Sequence, residues 1–168
     1  MQKAFFFDRD GVLNKDRGGY TYLIQDFVIL PGIIPLMRHL KHDGFLNIVV
    51  TNQAGIAKGI YTREQVQACH DHFQQVSGHL VDSFYYAPDH PDFSESLSRK
   101  PGSLMFERAI ARYGIDPSIS WMIGDMERDI LPAQHLGMKT ILLSQKKTET
   151  VADYVLGGIE QVLDLLGR

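Results

Sequence analysis

Cysteine is nearly missing from this chain: Cys69 is the only one in 168 residues. That excludes an intrachain disulfide framework and a cysteine-rich zinc site, and it suits a reducing compartment. An excess of positive charge is missing too. Lysine and arginine number 17 against 20 aspartates and glutamates, for a formal net charge of -3. This balance leaves no electrostatic footprint for nucleic acid and no polybasic patch for a membrane surface. No apolar run approaches the ~20 residues of a membrane-spanning helix. Internal repeats, low-complexity tracts and interdomain linkers are also absent. The amino terminus enters an apolar segment directly, without a charged-then-apolar leader, so the expectation is a cytoplasmic protein. What remains is ordinary globular composition, 44% hydrophobic and 22% charged, over a length that suits one domain with a sizeable core.

The most informative stretch present is Phe5 to Asn14, FFFDRDGVLN. An uninterrupted apolar run that ends in acids reads as a buried strand stopping at an exposed edge. Parallel sheets bind ligands at the carboxyl ends of their strands, so Asp8 and Asp10 are expected in the crevice there. A loop beginning at Arg9 can aim both acids at one substrate. Two clustered carboxylates without a counter-charge are costly, which implies a divalent cation. One acid can then act as a nucleophile and the other as a proton donor, since carboxylates form acyl-phosphate intermediates in phosphoryl transfer.

Along the chain, strands and helices alternate. Strand one runs from Lys3 to Asp8, and a long polar loop follows from Lys15 to Asp26. Ile33, Ile34, Met37 and Leu40 recur at helical spacing up to Gly44. Phe45 to Val50 is a second strand, terminating in Thr51-Asn52-Gln53. A helix starts at Thr62 with a capping-box Gln65, and its apolar stripe reads Val66, Cys69, Phe73, Val76. Val81 to Ala87 is a third strand, Pro88 to Pro101 a loop, and Leu104 to Tyr113 a helix stopped by Gly114. Trp121 to Ile123 is a fourth strand ending in Gly124-Asp125. A short helix from Asp129 to Leu136 carries Pro132 in an early position. Thr140 to Leu143 is a fifth strand, a short one is expected near Asp153 to Leu156, and Ile159 to Leu166 is a closing helix. This order predicts parallel β-α-β units and a single three-layer α/β domain over residues 1–168, Rossmann-like and without a large cap.

Polar groups therefore fall at strand ends or helix starts: Asp8 and Asp10, Thr51 and Asn52, Lys100, Asp125 and Asp129. A carboxylate nucleophile, a hydroxyl, an amide, a lysine and acids for Mg²⁺ are what phosphoryl transfer needs. The segments DRDGVLN, TNQAG, RKP and GDMERD, in this order, resemble the four motifs of the haloacid dehalogenase superfamily of phosphatases. The likeness is closest to its heptose bisphosphate and histidinol-phosphate phosphatases and covers essentially the whole chain. The resemblance implies that Asp8 is the nucleophile and Asp10 the general acid and base. It implies Mg²⁺ held by Asp8, the Asp10 carbonyl and Asp125, with Asp129 orienting the lysine and the metal shell. Thr51 and Lys100 match the phosphate clamp, Asn52 lies beside them, and Arg99 matches a substrate-contacting arginine.

One departure is coherent. Typical members of that subgroup carry a zinc loop, and the four ligand positions here are Ala87, Asp89, Ser96 and Ser98, which supply no thiolate. No zinc is expected. Met126 stands where related enzymes often have a lysine. The resemblance favours a heptose 1,7-bisphosphate losing its 7-phosphate, with histidinol phosphate or another sugar phosphate as the alternative. A phosphotransferase and a non-catalytic binding protein are the other classes. The expected partner is a small phosphorylated metabolite, and the expected state a monomer. Among other candidates, His70-Asp71-His72 is a poor metal pair because neighbours two apart on a helix do not face one another. His39 and His42 could meet, and Tyr20 and Tyr22 either wall a pocket or pack the loop.

Overall fold

The computed structural model describes residues 1–146 and 149–167. Its centre is one parallel sheet in the order β3-β2-β1-β4-β5-β6. The strands are β1 (Lys3–Phe7), β2 (Phe45–Asn52), β3 (Ser83–Ala87), β4 (Trp121–Gly124), β5 (Lys139–Leu143) and β6 (Tyr154–Leu156). The helices are α1 (Ile33–His42), α2 (Arg63–Ser77), α3 (Leu104–Tyr113), α4 (Glu127–His135) and α5 (Gln161–Leu165).

The pleat of β1 explains the three layers. Successive side chains on a strand face opposite ways. Phe5 and Phe7 join Val49, Trp121 and Ile123 on one side, where Leu36 of α1, Phe73 of α2 and Val162 of α5 pack. Phe6 joins Ile48, Val50 and Met122 on the other, under Phe106 of α3 and Ala133 of α4. Phe5 to Phe7 are all fully buried. A strand covered on both faces needs apolar residues at every position, and this one has them.

Three departures from the periodicity reading have a local reason; besides them β2 runs on through Asn52 and β3 starts at Ser83 rather than Val81. Thr62 does cap α2, accepting from Gln65 N at 3.3 Å while Gln65 Oε1 accepts from Thr62 N at 3.0 Å. The stripe below it drifts, however: Val76 is 52% exposed, whereas His70 and Ser77 are buried. At 100° per residue Val76 lies about 80° off the Val66 direction and Ser77 only about 20° off. In α4 the start is two residues earlier than expected, because Asp129 Oδ2 accepts the Met126 N–H at 3.1 Å. Pro132 consequently falls in the second turn rather than the first, and the Arg128 carbonyl loses its intrahelical donor. The closing helix shrinks to α5 because residues 157–160 form the bend and turn that join it to β6.

The long connections all lie at the carboxyl edge of the sheet. Residues 8–32 carry one 3-10 turn, Ile24–Asp26, and residues 88–103 carry no helix. Neither folds into a cap domain.

Candidate active site

Adjacent parallel strands deliver their ends to one edge, so β1, β2 and β4 bring their terminal residues together. Asp8 follows β1 and still donates its N–H to the Ile123 carbonyl, 3.0 Å away, which carries the ladder one residue past the last phenylalanine. Its own carboxylate then accepts the Arg9 N–H at 2.7 Å and turns the chain. Thr51 and Asn52 close β2, Asp125 follows β4, and Asp129 occupies the first turn of α4.

Lys100 comes from the distant loop and joins them. Its ammonium lies 2.9 Å from Asp8 Oδ1 and 2.7 Å from Asp129 Oδ1, and it donates to the Val50 carbonyl at 2.7 Å. Three donors meet three acceptors. Asn52 sets the lysine's backbone: its Oδ1 accepts Lys100 N at 2.9 Å and its Nδ2 donates to Lys100 O at 3.0 Å. Asn52 thus pins Lys100 in place from both sides of its backbone.

Carboxylate oxygens of Asp8, Asp125 and Asp129 all lie within 4.8 Å of one another. One ammonium cannot balance two buried carboxylates and a third that is half-buried. Burial, opposed by Lys100 and reinforced by Asp129, pushes Asp8 up to about 6. Burial, with Asp8 and Asp129 next to it, pushes Asp125 up to about 7. Burial works to lower Lys100, but Asp129 and Asp8 overcome it and the net shift is upward. This donor set of hard oxygens and uncompensated negative charge fits a divalent cation of the magnesium type. Gly11 leaves the space: at a φ of 86°, a Cβ there would stand 2.2 Å from Asp125 Oδ2. Gly124 does the same for Asp129, whose Cβ would be 2.3 Å from an added methyl.

Asp10 sits apart from that trio. Its carboxylate accepts from Arg9 Nη2 at 3.0 Å, Asn14 Nδ2 at 2.9 Å and Gln53 Nε2 at 3.1 Å. Gln53 also donates to Thr51 Oγ1 at 2.9 Å, and Tyr61 OH donates to Gln53 Oε1 at 2.8 Å. Burial pushes the Tyr61 phenol up to about 12, so it stays a donor. Arg9, Asn14, Gln53 and Tyr61 were not singled out from the sequence. The signal was present for three of them, which lie inside DRDGVLN and TNQAG, but Tyr61 lies outside both motifs.

A cleft of about 270 Å³ opens over this arrangement, lined by Asp10, Tyr20, Asn52, Gln53, Asp125 and Arg128 among others. A second, of about 380 Å³, meets it at Asp125 from the Gly157-Gly158 side. Tyr20 walls the first cleft and packs edge-on against Tyr61, with ring centroids 5.5 Å apart; Tyr22 stacks on the same ring at 5.2 Å. Arg99 donates to the Asp89 carbonyl at 3.3 Å; burial and the neighbouring Arg128 both pull its pKa down. Arg128 is a cleft residue the sequence reading passed over.

All four altered positions in the 87–98 region make hydrogen bonds, the Ala87 carbonyl accepting Gln53 N at 2.7 Å. Ser96 Oγ accepts Ser98 N at 3.3 Å, Asp89 Oδ1 accepts Ser94 Oγ at 3.4 Å, and the Ser96 carbonyl accepts Arg99 N at 3.2 Å. His70 is a ring in the packed layer behind β3. It stacks on Phe84 at 4.2 Å, and burial pulls it down to about 3, so it is a neutral core ring. His72 instead meets Phe27 edge-on at 6.2 Å, so the two do not share a ligand. His39 and His42 both approach Asp43, at 3.7 and 3.3 Å.

Comparison with known proteins agrees with this geometry. A family profile described as HAD-hydrolase-like matches residues 97–159. The D-glycero-beta-D-manno-heptose-1,7-bisphosphate 7-phosphatase of Haemophilus ducreyi is 35% identical, with 94% of each chain covered. The alpha-anomer enzyme of Burkholderia mallei is 36% identical, covering 98% of this chain and 93% of its own. Among solved structures, the D,D-heptose 1,7-bisphosphate phosphatase of B. bronchiseptica, complexed with magnesium and phosphate, superposes with a TM-score of 0.86. It shares 24% identity and covers 98% of both chains, which establishes the fold. Near-full-length identity above a third, on a sheet whose carboxyl edge gathers residues of all four motifs, means that this chain belongs to the haloacid dehalogenase-like hydrolases, in the family of the heptose bisphosphate phosphatases.

Proposed function

We propose that the protein is a Mg²⁺-dependent phosphatase that removes the 7-phosphate of D-glycero-D-manno-heptose 1,7-bisphosphate through an aspartyl-phosphate. The observation that carries this reading is the buried ion cluster of Lys100 with Asp8 and Asp129, beside Asp125, at the carboxyl edge of the sheet. The names of the relatives add the substrate class.

Asp8 attacks phosphorus with one carboxylate oxygen. As that bond forms, the bond from phosphorus to the sugar oxygen breaks, and Asp10 gives the departing oxygen its proton. Asp10 then takes a proton from water, whose oxygen attacks phosphorus and returns Asp8 to its free carboxylate. Thr51 and Lys100 hold the transferring oxygens while charge develops on them. Mg²⁺, held by Asp8, Asp125 and the Asp10 carbonyl, supplies charge neutralisation for the phosphoryl group. Asp129 keeps Lys100 in place at 2.7 Å. Arg99 and Arg128 supply guanidinium charge for the second phosphate, in place of the lysine that Met126 replaces. The loop around Ser96 and Ser98 works without zinc, and the enzyme acts as a cytoplasmic monomer on a metabolite.

Phosphate release is the test. Wild-type protein, assayed on both heptose 1,7-bisphosphate anomers, histidinol phosphate and sugar monophosphates with and without Mg²⁺, should rank a heptose bisphosphate first by kcat/KM. Asp8→Asn should fold and give no turnover, since an amide is the same size but opens no covalent route. Multiple turnover by Asp8→Asn, or a preference for histidinol phosphate, would reject the respective half of the reading.

A further inference from the structure

Arg9 is the largest fully buried side chain among the described residues, yet it is charged. Its guanidinium grips Asp10 through Nε at 3.2 Å and Nη2 at 3.0 Å to both carboxylate oxygens. The same Nη2 donates to the Thr21 carbonyl at 2.6 Å. Thr21 follows Tyr20 in the long loop, and both line the cleft over the acids. One guanidinium thus ties the proposed proton donor to the wall of the substrate cleft. From the opposite side Gln53 holds Asp10 and Thr51 together, and Tyr61 fixes which way that amide points.

Stability alone is a poor account of this arrangement. The Asp10 side chain is 29% exposed, so water could satisfy it without Arg9. Burying a guanidinium costs several kcal/mol even when paired, and an apolar side chain of similar volume often serves the fold as well. The Arg9 face lies 5.7 Å from the Phe27 ring centroid, a position a long apolar side chain could occupy. What an apolar residue could not do is orient a carboxylate with a rigid fork.

We propose that Arg9 and the Tyr61-locked Gln53 form a positioning clamp that aims the Asp10 carboxylate at the leaving oxygen, and that Arg9, through Thr21, sets the cleft wall in register with it. This inference rests on the reading of Asp10 as the general acid. Arg9, Gln53 and Tyr61 are positioning residues, acting through Asp10.

A misaimed acid has a signature that general loss of structure lacks. An alkyl phosphate needs its leaving oxygen protonated, while an activated aryl phosphate such as p-nitrophenyl phosphate does not. Arg9→Lys keeps the charge and loses the fork. It should lower kcat on heptose bisphosphate about 10- to 100-fold and raise KM, as expected for a displaced general acid and a loosened wall. The burst of nitrophenolate from the aryl ester, which reports attack by Asp8, should stay within about threefold, since that step needs no proton from Asp10. In an Asp10→Asn background, Arg9→Lys should add less than about twofold, because the two act as one unit. Should Arg9→Lys fail to fold, the near-isosteric Tyr61→Phe gives the same readout, with about a three- to tenfold loss confined to the alkyl substrate. A loss in the aryl burst equal to the loss in alkyl turnover, or full additivity with Asp10→Asn, would overturn the clamp. The two levels separate cleanly: alkyl turnover surviving in Asp10→Asn removes the general acid itself, whereas loss there with intact Arg9→Lys and Tyr61→Phe removes only the clamp.

Discussion

Replacing Lys100 by methionine keeps the stem and removes one charge from the most crowded ionic site of the protein. The ammonium is 1% exposed and has three partners at 2.7 to 2.9 Å. Without it, Asp8 and Asp129 lose their counter-charge, and the Val50 carbonyl loses its donor. Breaking a buried pair from one side costs about 3–5 kcal/mol, most of it the penalty of the charge left behind. At this chain length 1 kcal/mol moves Tm by about 2–4 °C, so Lys100→Met should melt about 6–20 °C below wild type in EDTA at pH 8. The gap should narrow at pH 5. Lys100 is shifted upward, so its charge persists across this range, but its partner Asp8 titrates near 6. Below that value Asp8 takes up a proton, the attraction fades in wild type, and the repulsion is relieved in the variant. Thermal unfolding followed by circular dichroism at the two pH values reads both effects, and phosphate release should be abolished throughout. A Tm within about 2 °C of wild type at pH 8 would refute the claim that Lys100 balances this cluster, as would a gap that widens on acidification.

Metal and acidity should be coupled in the wild-type protein. Asp8 and Asp125 rise from 3.8 to about 6 and about 7 in the fold, so each destabilises the metal-free protein above its unfolded value. The penalty is absent below 3.8, grows as pH rises from there, and is complete once pH passes about 6 for Asp8 and about 7 for Asp125. Mg²⁺ should consequently raise Tm more at pH 8 than at pH 5 by differential scanning fluorimetry, and equal increments would count against the cation site. Gly11→Ala, whose methyl would stand 2.2 Å from Asp125 Oδ2, should weaken Mg²⁺ activation about 10- to 100-fold with the far-ultraviolet circular dichroism unchanged. An unchanged Mg²⁺ dependence would show that Asp125 does not need that space.

The run Phe5 to Phe7 shows how much a local pattern can carry. Three phenylalanines in a row have no period, and the absence of a period is itself the mark of a strand buried on both faces. The acids after them had to lie at its carboxyl end. The motifs at Thr51, Lys100 and Asp125 were legible for the same reason, each ending an apolar run or opening a helix. The failures were also physical. Val76 fell off the α2 stripe because a 3.6-residue period accumulates error over three turns, and Pro132 moved inward because Asp129 capped α4 earlier than hydropathy could show.

By itself the sequence determined where the four motifs lie and which candidate residues they contain, because residue type and chain order are local properties. It also determined the layering of the fold, because strand and helix periods are local too. Only the tertiary structure decided which of those residues touch. Lys100 meets Asp8 across 92 positions, and Asn52 reaches its backbone across 48. Asn52 became a support for the lysine, His70 a neutral core ring, and Arg9, named in the sequence only as the start of a loop, the residue that holds Asp10. Contacts between segments far apart in the chain depend on how strands order themselves in the sheet and how loops fold over its edge. No spacing within a single segment encodes either.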